Sequence, residues 1–178
     1  KAAGRLAGNT LVATVMSNLG LENFLTAQGV TVIRTAVGDR YVLEEMRSGG
    51  YLLGGEQSGH IIFYGHNRTG DGVITALQVL HSFVRQNRPF SELTDLFAVY
   101  PQRLVNIRVT DKVPFEDIHG LVPLQSKYER ELRGKGRILL RYSGTEKLAR
   151  VMVEAEQQAD VDRVCDGLAA LIRKEIGA

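Results

Sequence analysis

Short apolar, β-branched runs alternate with amphipathic stretches through the first hundred residues, and this alternation leaves few architectures open. LVATVM (11–16) reads as a strand, and SNLGLENFLTAQG behind it as a helix with Ser17 or Asn18 as N-cap and Gly29 as stop. TVIRTA (31–36) repeats the strand. DRYVLEEMRSGG repeats the helix, with Asp39 as cap, Val42, Leu43 and Met46 as its apolar face, and Gly49 and Gly50 ending it. YLLGGEQ and HIIFY are two more strands around a glycine loop, and DGVITALQVLHSFVRQN is a long amphipathic helix capped by Asp71. Strands that alternate with helices bury a sheet against helical layers, so residues 1–98 are expected to form an α/β domain. PFSELTDLFAVYPQ is expected to be a short closing helix, with Pro101 marking the boundary.

Beyond Pro101 the pattern changes. RLVNIRVT alternates as a strand, LQSKYERELRG is a charged helix stopped by Gly134, and GRILLRYS and LARVMVEAE are strands joined by a short loop. Residues 160–176 form a helix with Val161, Val164, Leu168, Leu171 and Ile172 on one face. Two adjacent strands with a short connection pair antiparallel, so residues 102–178 are expected to form a smaller α+β domain with an antiparallel sheet.

The formal charge is only +2, which argues against nucleic acid or a membrane surface as partner by bulk electrostatics; any anion site must be local. Cys165 is the one cysteine, so an internal disulfide and a Cys-rich metal site are both excluded; it is expected to pack inside its helix. No metal-binding spacing occurs among the four histidines, and no metal ligand is assigned. No apolar run approaches the roughly 20 residues of a membrane span, and the start does not resemble a signal peptide, so a cytoplasmic protein is expected. The chain opens with Lys1 in the middle of a running pattern, which reads as a piece of something longer.

Two loops carry candidate chemistry. In RYSGTEKLAR, Arg141 offers a planar fork of donors, Ser143 and Thr145 offer hydroxyls, Gly144 lets backbone amides turn inward as a nest, and Arg150 can return to the same place. The same spacing also fits a β-turn with Gly144 in the left-handed region and Ser and Thr bonded to their own backbone. In GGEQSGH, Glu56, Ser58 and His60 fall at alternate positions and would share a side if the segment were extended; a carboxylate, a hydroxyl and an imidazole suit a polyol and a proton transfer. A glycine-rich hairpin with a solvated Glu56 fits those residues as well. In VGDRYV, Arg40 lies at a strand-to-helix junction, where open α/β layers place ligand groups, although a solvent-facing side chain is the simpler reading.

Taken together, GGEQSGH, VGDRYV and RYSGTE followed by RVMVE resemble the α-D-phosphohexomutase superfamily, over essentially the whole chain. The resemblance is to the third and fourth domains of a four-domain enzyme. It implies an α/β three-layer sandwich with a mixed sheet, followed by the smaller antiparallel α+β domain. It also implies that Glu56, Ser58 and Gln57 meet the sugar and that His60 serves as a general acid or base; Arg40 joins the substrate side on its junction position alone. Arg141, Ser143, Gly144 and Thr145 would hold the phosphate distal from the reacting one, with Arg150 added from the loop reading above. Gln57 favours a 2-amino sugar, with Glu56 facing its ammonium group.

The implied reaction interconverts glucosamine 6-phosphate and glucosamine 1-phosphate through a bisphosphate that reorients between two phosphoryl transfers, with Mg²⁺ stabilising charge. The superfamily's phosphoserine loop and Asp-rich Mg²⁺ loop are absent from this sequence. The expectation is therefore a recognition half that needs N-terminal domains for turnover, its two loops closing on opposite ends of one ligand by a pivot near Pro101. The alternatives are the equivalent part of a phosphomannomutase or phosphoglucomutase, or a free-standing sugar-phosphate-binding module.

Overall fold

The computed structural model describes residue 4, residues 6–86, residue 89, residues 91–92 and residues 96–178. The chain divides into two compact units, Lys1–Val99 and Tyr100–Ala178.

The first unit is built on a four-stranded sheet of β1 (Thr10–Thr14), β2 (Thr31–Thr35), β3 (Leu53–Gly55) and β4 (Ile61–Phe63), in the order β2-β1-β3-β4. β1 runs parallel to β2 and to β3, and β4 returns antiparallel to β3, so the sheet is mixed. A strand flanked on both edges and buried on both faces needs apolar or small residues at consecutive positions. β1 meets that need with Val12, Ala13 and Thr14, all buried.

Helices α1 (Leu19–Ala27), α2 (Asp39–Gly49) and α3 (Gly72–Gln86) follow β1, β2 and β4. Of the two candidate caps of α1, Asn18 does the work: its side chain accepts from the Gly20 N–H at 2.9 Å. The cap of α2 differs from expectation. Gly38, with φ 134°, is the N-cap, and Asp39 is already the first helical residue. Its carboxylate therefore favours the helix start through the dipole rather than through a cap bond. At the other end Gly50 adopts φ 69°, and its N–H and that of Tyr51 both reach the Met46 carbonyl, which closes the helix in the glycine-dependent manner.

The strand expected over YLLGGEQ shrinks to three residues because Tyr51 is bound to the end of α2 and Glu56 already begins a turn. Asp71 caps α3, accepting from the Val73 and Ile74 amides at 2.9 Å each. No residue of α3 is buried, and Val73, Leu77, Leu80 and Val84 are exposed. The short helix expected across residues 89–102 overlaps residues 90 and 93–95, which lie outside the described residues; residues 96–101 are not helical.

The second unit pairs β5 (Gln102–Arg108), β6 (Gly136–Tyr142) and β7 (Leu148–Ala155) antiparallel in the order β5-β7-β6. Alternate residues of β7, from Ala149 through Val151 and Val153 to Ala155, are buried with Val161, Val164, Leu168 and Ile172 of the long helix α5 (Gln158–Ile176) in one core. Cys165 is free and buried in that core. Helix α4 (Leu121–Leu132) starts three residues before the expected LQSKYERELRG. Pro123 falls in its first turn, where amide groups have no intrahelical acceptor and proline is tolerated. On the other face of β7, Glu154 is fully buried and accepts from Arg137 of the neighbouring strand at 2.5 Å.

The α2–sheet contact is set by Gly54. A Cβ there would stand 2.6 Å from Met46 Sδ and 2.8 Å from Val42 Cγ1, both on buried residues. Gly54→Ala should therefore destabilise the first unit by about 1–3 kcal/mol, the usual range for an overpacked core. Urea unfolding checks this; a midpoint unchanged from the parent chain would show that α2 can move away freely.

Candidate functional site

The glycine loop is a tight hairpin tip between β3 and β4. Gly55 pairs with Ile61 in the ladder, the Glu56 N–H donates to the His60 carbonyl at 2.9 Å, and the Gly59 N–H donates to the Glu56 carbonyl at 3.1 Å. Gly59 has φ 96°, a conformation that side chains with a Cβ rarely adopt. The segment is thus not extended, and the expectation that alternate positions share a side does not describe it. The turn assembles the groups by another route. Ser58 Oγ lies 3.4 Å from His60 Nδ1, and His60 Nδ1 lies 3.8 Å from Glu56 Oε2.

Glu56 is held where a solvated hairpin glutamate would not be. Its side chain is only 10% exposed, and Oε1 accepts from the Gly38 N–H at 2.9 Å. That bond ties the glycine loop to the β2–α2 junction, and it leaves Oε2 on the side of His60. Gln57, Ser58 and His60 are exposed around it. Arg40, also exposed, is the second residue of α2; its guanidinium donates to the Tyr41 hydroxyl at 2.6 Å and sits 4.4 Å from the Tyr41 ring centroid. A groove of ≈ 410 Å³ opens beside Glu56 and Gln57, with Ala13, Leu21, Ile61 and Phe63 among its lining residues. Glu56 and Gln57 therefore border a largely apolar trough.

The second loop, residues 143–147, joins β6 to β7. Register puts Arg141 directly opposite Arg150, and Asn106 of β5 opposite Arg150 on the other side. Like charges in cross-strand positions repel. Burial first, and then the Arg150 charge, lowers the pKa of the Arg141 guanidinium from its ordinary value. The Nε atoms of both arginines are buried without a hydrogen-bond partner. Glu146 offers Arg150 only a 3.9 Å contact, from a carboxylate that is 62% exposed. Two cations that face each other with unmet buried donors form an arrangement suited to an anion.

Ser143 is buried, and its Oγ accepts from the Glu146 N–H at 3.3 Å, which leaves the hydroxyl proton to be donated. Gly144 and Thr145 are exposed at the tip. Gly144 is not among the residues with positive φ, so the left-handed turn that the spacing also allowed does not form.

A brace under this loop has no counterpart in the sequence reading. The Tyr142 hydroxyl donates to the Val113 carbonyl at 2.5 Å, its ring stacks on Phe115 at 4.4 Å, and Lys112 reaches the Ser143 carbonyl. The partners lie some thirty positions apart, beyond any local spacing signal. Gly38 was missed for a different reason: a backbone amide has no letter of its own.

A model for the phosphoglucomutase/phosphomannomutase alpha/beta/alpha domain III matches residues 1–100, and one for the C-terminal domain of the same enzymes matches residues 104–171. The chain belongs to this phosphohexomutase family. Among its phosphohexomutase relatives, the phosphoglucosamine mutase of Solidesulfovibrio magneticus is 51% identical over 97% of this chain and 38% of its own length. That of Geobacillus thermodenitrificans is 49% identical over 99% of the chain and 40% of its own. The chain thus spans about two-fifths of the curated relatives it matches. Among solved structures, Aspergillus fumigatus N-acetylphosphoglucosamine mutase in complex with GlcNAc-6P and magnesium superposes with a TM-score of 0.73 at 21% identity, over 92% of this chain and 41% of that one. A second structure of the Aspergillus fumigatus enzyme gives 0.76 at 22% identity, over 93% and 38%. At such identities the likeness establishes the phosphohexomutase fold.

Removing only the Tyr142 hydroxyl tests the brace. Tyr142→Phe keeps the stack on Phe115 and leaves the Val113 carbonyl unpaired, and it should cost about 1 kcal/mol of stability. Thermal unfolding reads this; a melting temperature equal to that of the parent would mean that water replaces the bond without loss.

Proposed function

We propose that this chain is the substrate-recognition part of a longer phosphohexomutase that interconverts glucosamine 6-phosphate and glucosamine 1-phosphate through a bisphosphate intermediate. The observation that carries the reading is the Arg141–Arg150 pair, in register and with unpartnered buried Nε atoms. Arg141, Arg150, the Ser143 hydroxyl and the amides around Gly144 and Thr145 bind the phosphate that is not reacting. A site made of guanidinium forks and backbone amides recognises the anion while tolerating either sugar orientation, which a reorienting intermediate requires.

Glu56, with Gln57 and Ser58, recognises the hydroxyl and ammonium side of the sugar, and Arg40 borders it. His60 is assigned general acid–base work, a reading that its position 3.4 Å from Ser58 Oγ supports. The names of the relatives support an amino sugar, as does a carboxylate oxygen of Glu56 left on the open side of its bond to Gly38. The boundary between a sugar-binding domain (1–98) and a phosphate-binding domain (102–178) is part of the same proposal, as is a cytoplasmic location, which fits a lone free cysteine. No helix among the described residues is long and apolar enough to cross a membrane.

Mg²⁺ belongs to the proposed reaction of the longer protein. Among the described residues no group of three His, Cys, Asp or Glu could hold a metal ion, and the donors gathered at both loops suit anions and hydroxyls. The residues present do not fit the metal, so its chemistry and the phosphoryl donor are assigned to segments outside this chain.

Calorimetric titration with glucosamine 6-phosphate and, separately, glucose 6-phosphate tests the division of labour. Arg141→Ala should weaken both ligands alike, by about ten- to a hundredfold for a lost charge-assisted hydrogen bond. Glu56→Gln keeps an oxygen for the Gly38 amide and removes the charge, so it should erase the preference for the amino sugar. An Arg141→Ala chain that binds both ligands as tightly as the parent would sink the anion reading.

A further inference from the structure

The loop that the preceding reading assigns to phosphate is gripped from behind by residues 109–115. The Lys112 ammonium donates to the Ser143 carbonyl at 2.6 Å and approaches the Gly144 carbonyl at 3.4 Å. In return the Lys147 ammonium donates to the Thr110 carbonyl at 2.6 Å and to Asp111 Oδ1 at 3.0 Å. The Val109 N–H donates to the Lys147 carbonyl at 3.1 Å. Two lysines thus cross between the same two segments in opposite directions, and only Lys112 ends on the backbone of the loop tip.

We infer that Lys112 is a positioning residue for anion binding: it draws the Ser143 and Gly144 carbonyls to one side and so aims the Gly144 and Thr145 N–H groups at the anion. The reason is the peptide plane. Cis peptide bonds do not occur among the described residues, and in a trans peptide the C=O of one residue and the N–H of the next point in opposite directions. A Ser143 carbonyl fixed on Lys112 therefore turns the Gly144 N–H away from Lys112, and the weaker hold on the Gly144 carbonyl does the same for Thr145. Among the described residues neither N–H has an acceptor, whereas the next one, Glu146 N–H, is already bound to Ser143 Oγ. The tip thus presents two adjacent free donors with the same sense, the arrangement of an anion nest.

Aim matters here because the loop is short and exposed. A peptide unit at a hairpin tip can flip at little cost, and a flipped Ser143–Gly144 peptide would present a carbonyl oxygen to the anion in place of a donor. A cation behind the carbonyl disfavours the flip. Lys112 makes this bond without touching the ligand, so it is not a catalytic residue. It also explains why TDKVPF, which has no motif of its own, is clasped to the loop at so many points.

The inference rests on the anion reading, and one experiment separates their failures. The ¹⁵N-labelled chain is titrated with inorganic phosphate while the Gly144 and Thr145 amide resonances are followed, in the parent, in Lys112→Met and in Lys147→Met. Lys112→Met should weaken phosphate about tenfold and reduce the shifts of both amides, whereas Lys147→Met, which removes the same charge from the same clasp, should change affinity less than about threefold. Unchanged affinity in Lys112→Met overturns the inference and leaves the anion reading standing. Equal losses in the two variants also overturn it, because charge rather than carbonyl aim would then set the affinity. If phosphate leaves both amides of the parent unmoved, the anion reading falls and this inference with it.

Discussion

Strand register is the constraint on which the second unit depends. The antiparallel ladder between Gly136–Tyr142 and Leu148–Ala155 decides at once which residues enter the core and which meet on the other face. Shifting it by one residue would turn Val151 and Val153 out of the core and Arg150 into it. The apolar face packed on α5 therefore holds the arginines in opposition: the energy that keeps the two guanidinium groups together comes from buried valines, not from the arginines. The same ladder leaves five residues to span the tip, too few to wander, and the clasp from residues 109–115 then settles their orientation.

The first unit solves a similar problem with backbone rather than with a long ladder. β3 and β4 are three residues each and could not by themselves fix a loop. Gly54 lets α2 approach until Met46 and Val42 touch the strand, and that closeness brings the start of α2 near enough for the Gly38 amide to reach Glu56. Loss of the carboxylate would cost the tie between two connections. Residue type and role are coupled here in a way that a motif does not express.

Much of this was legible in the sequence, for identifiable reasons. The alternation of strand and helix, the antiparallel second half and the apolar face of Val161, Val164, Leu168 and Ile172 follow from periodicity, because burial acts on every repeat. The two loops stood out because glycine and polar residues rarely cluster without cause. What failed had local causes. Asp39 looked like a cap because its type favours that position, but Gly38 took the place with a backbone angle that aspartate would resist. The extended reading of GGEQSGH missed the turn that Gly59 permits. The roles of Gly38 and Lys112 could not be read, since both depend on backbone atoms brought close by distant parts of the chain.

The opposed arginines also bear on the stability of the second unit. Two like charges kept face to face by the packing behind them repel, and that repulsion weighs against the folded state. Under the proposed function an arriving anion would relieve that repulsion as well as adding its own bonds, so occupancy and folding would draw on the same free energy. If the proposed phosphate site is right, the second unit's resistance to unfolding rises with the phosphate around it.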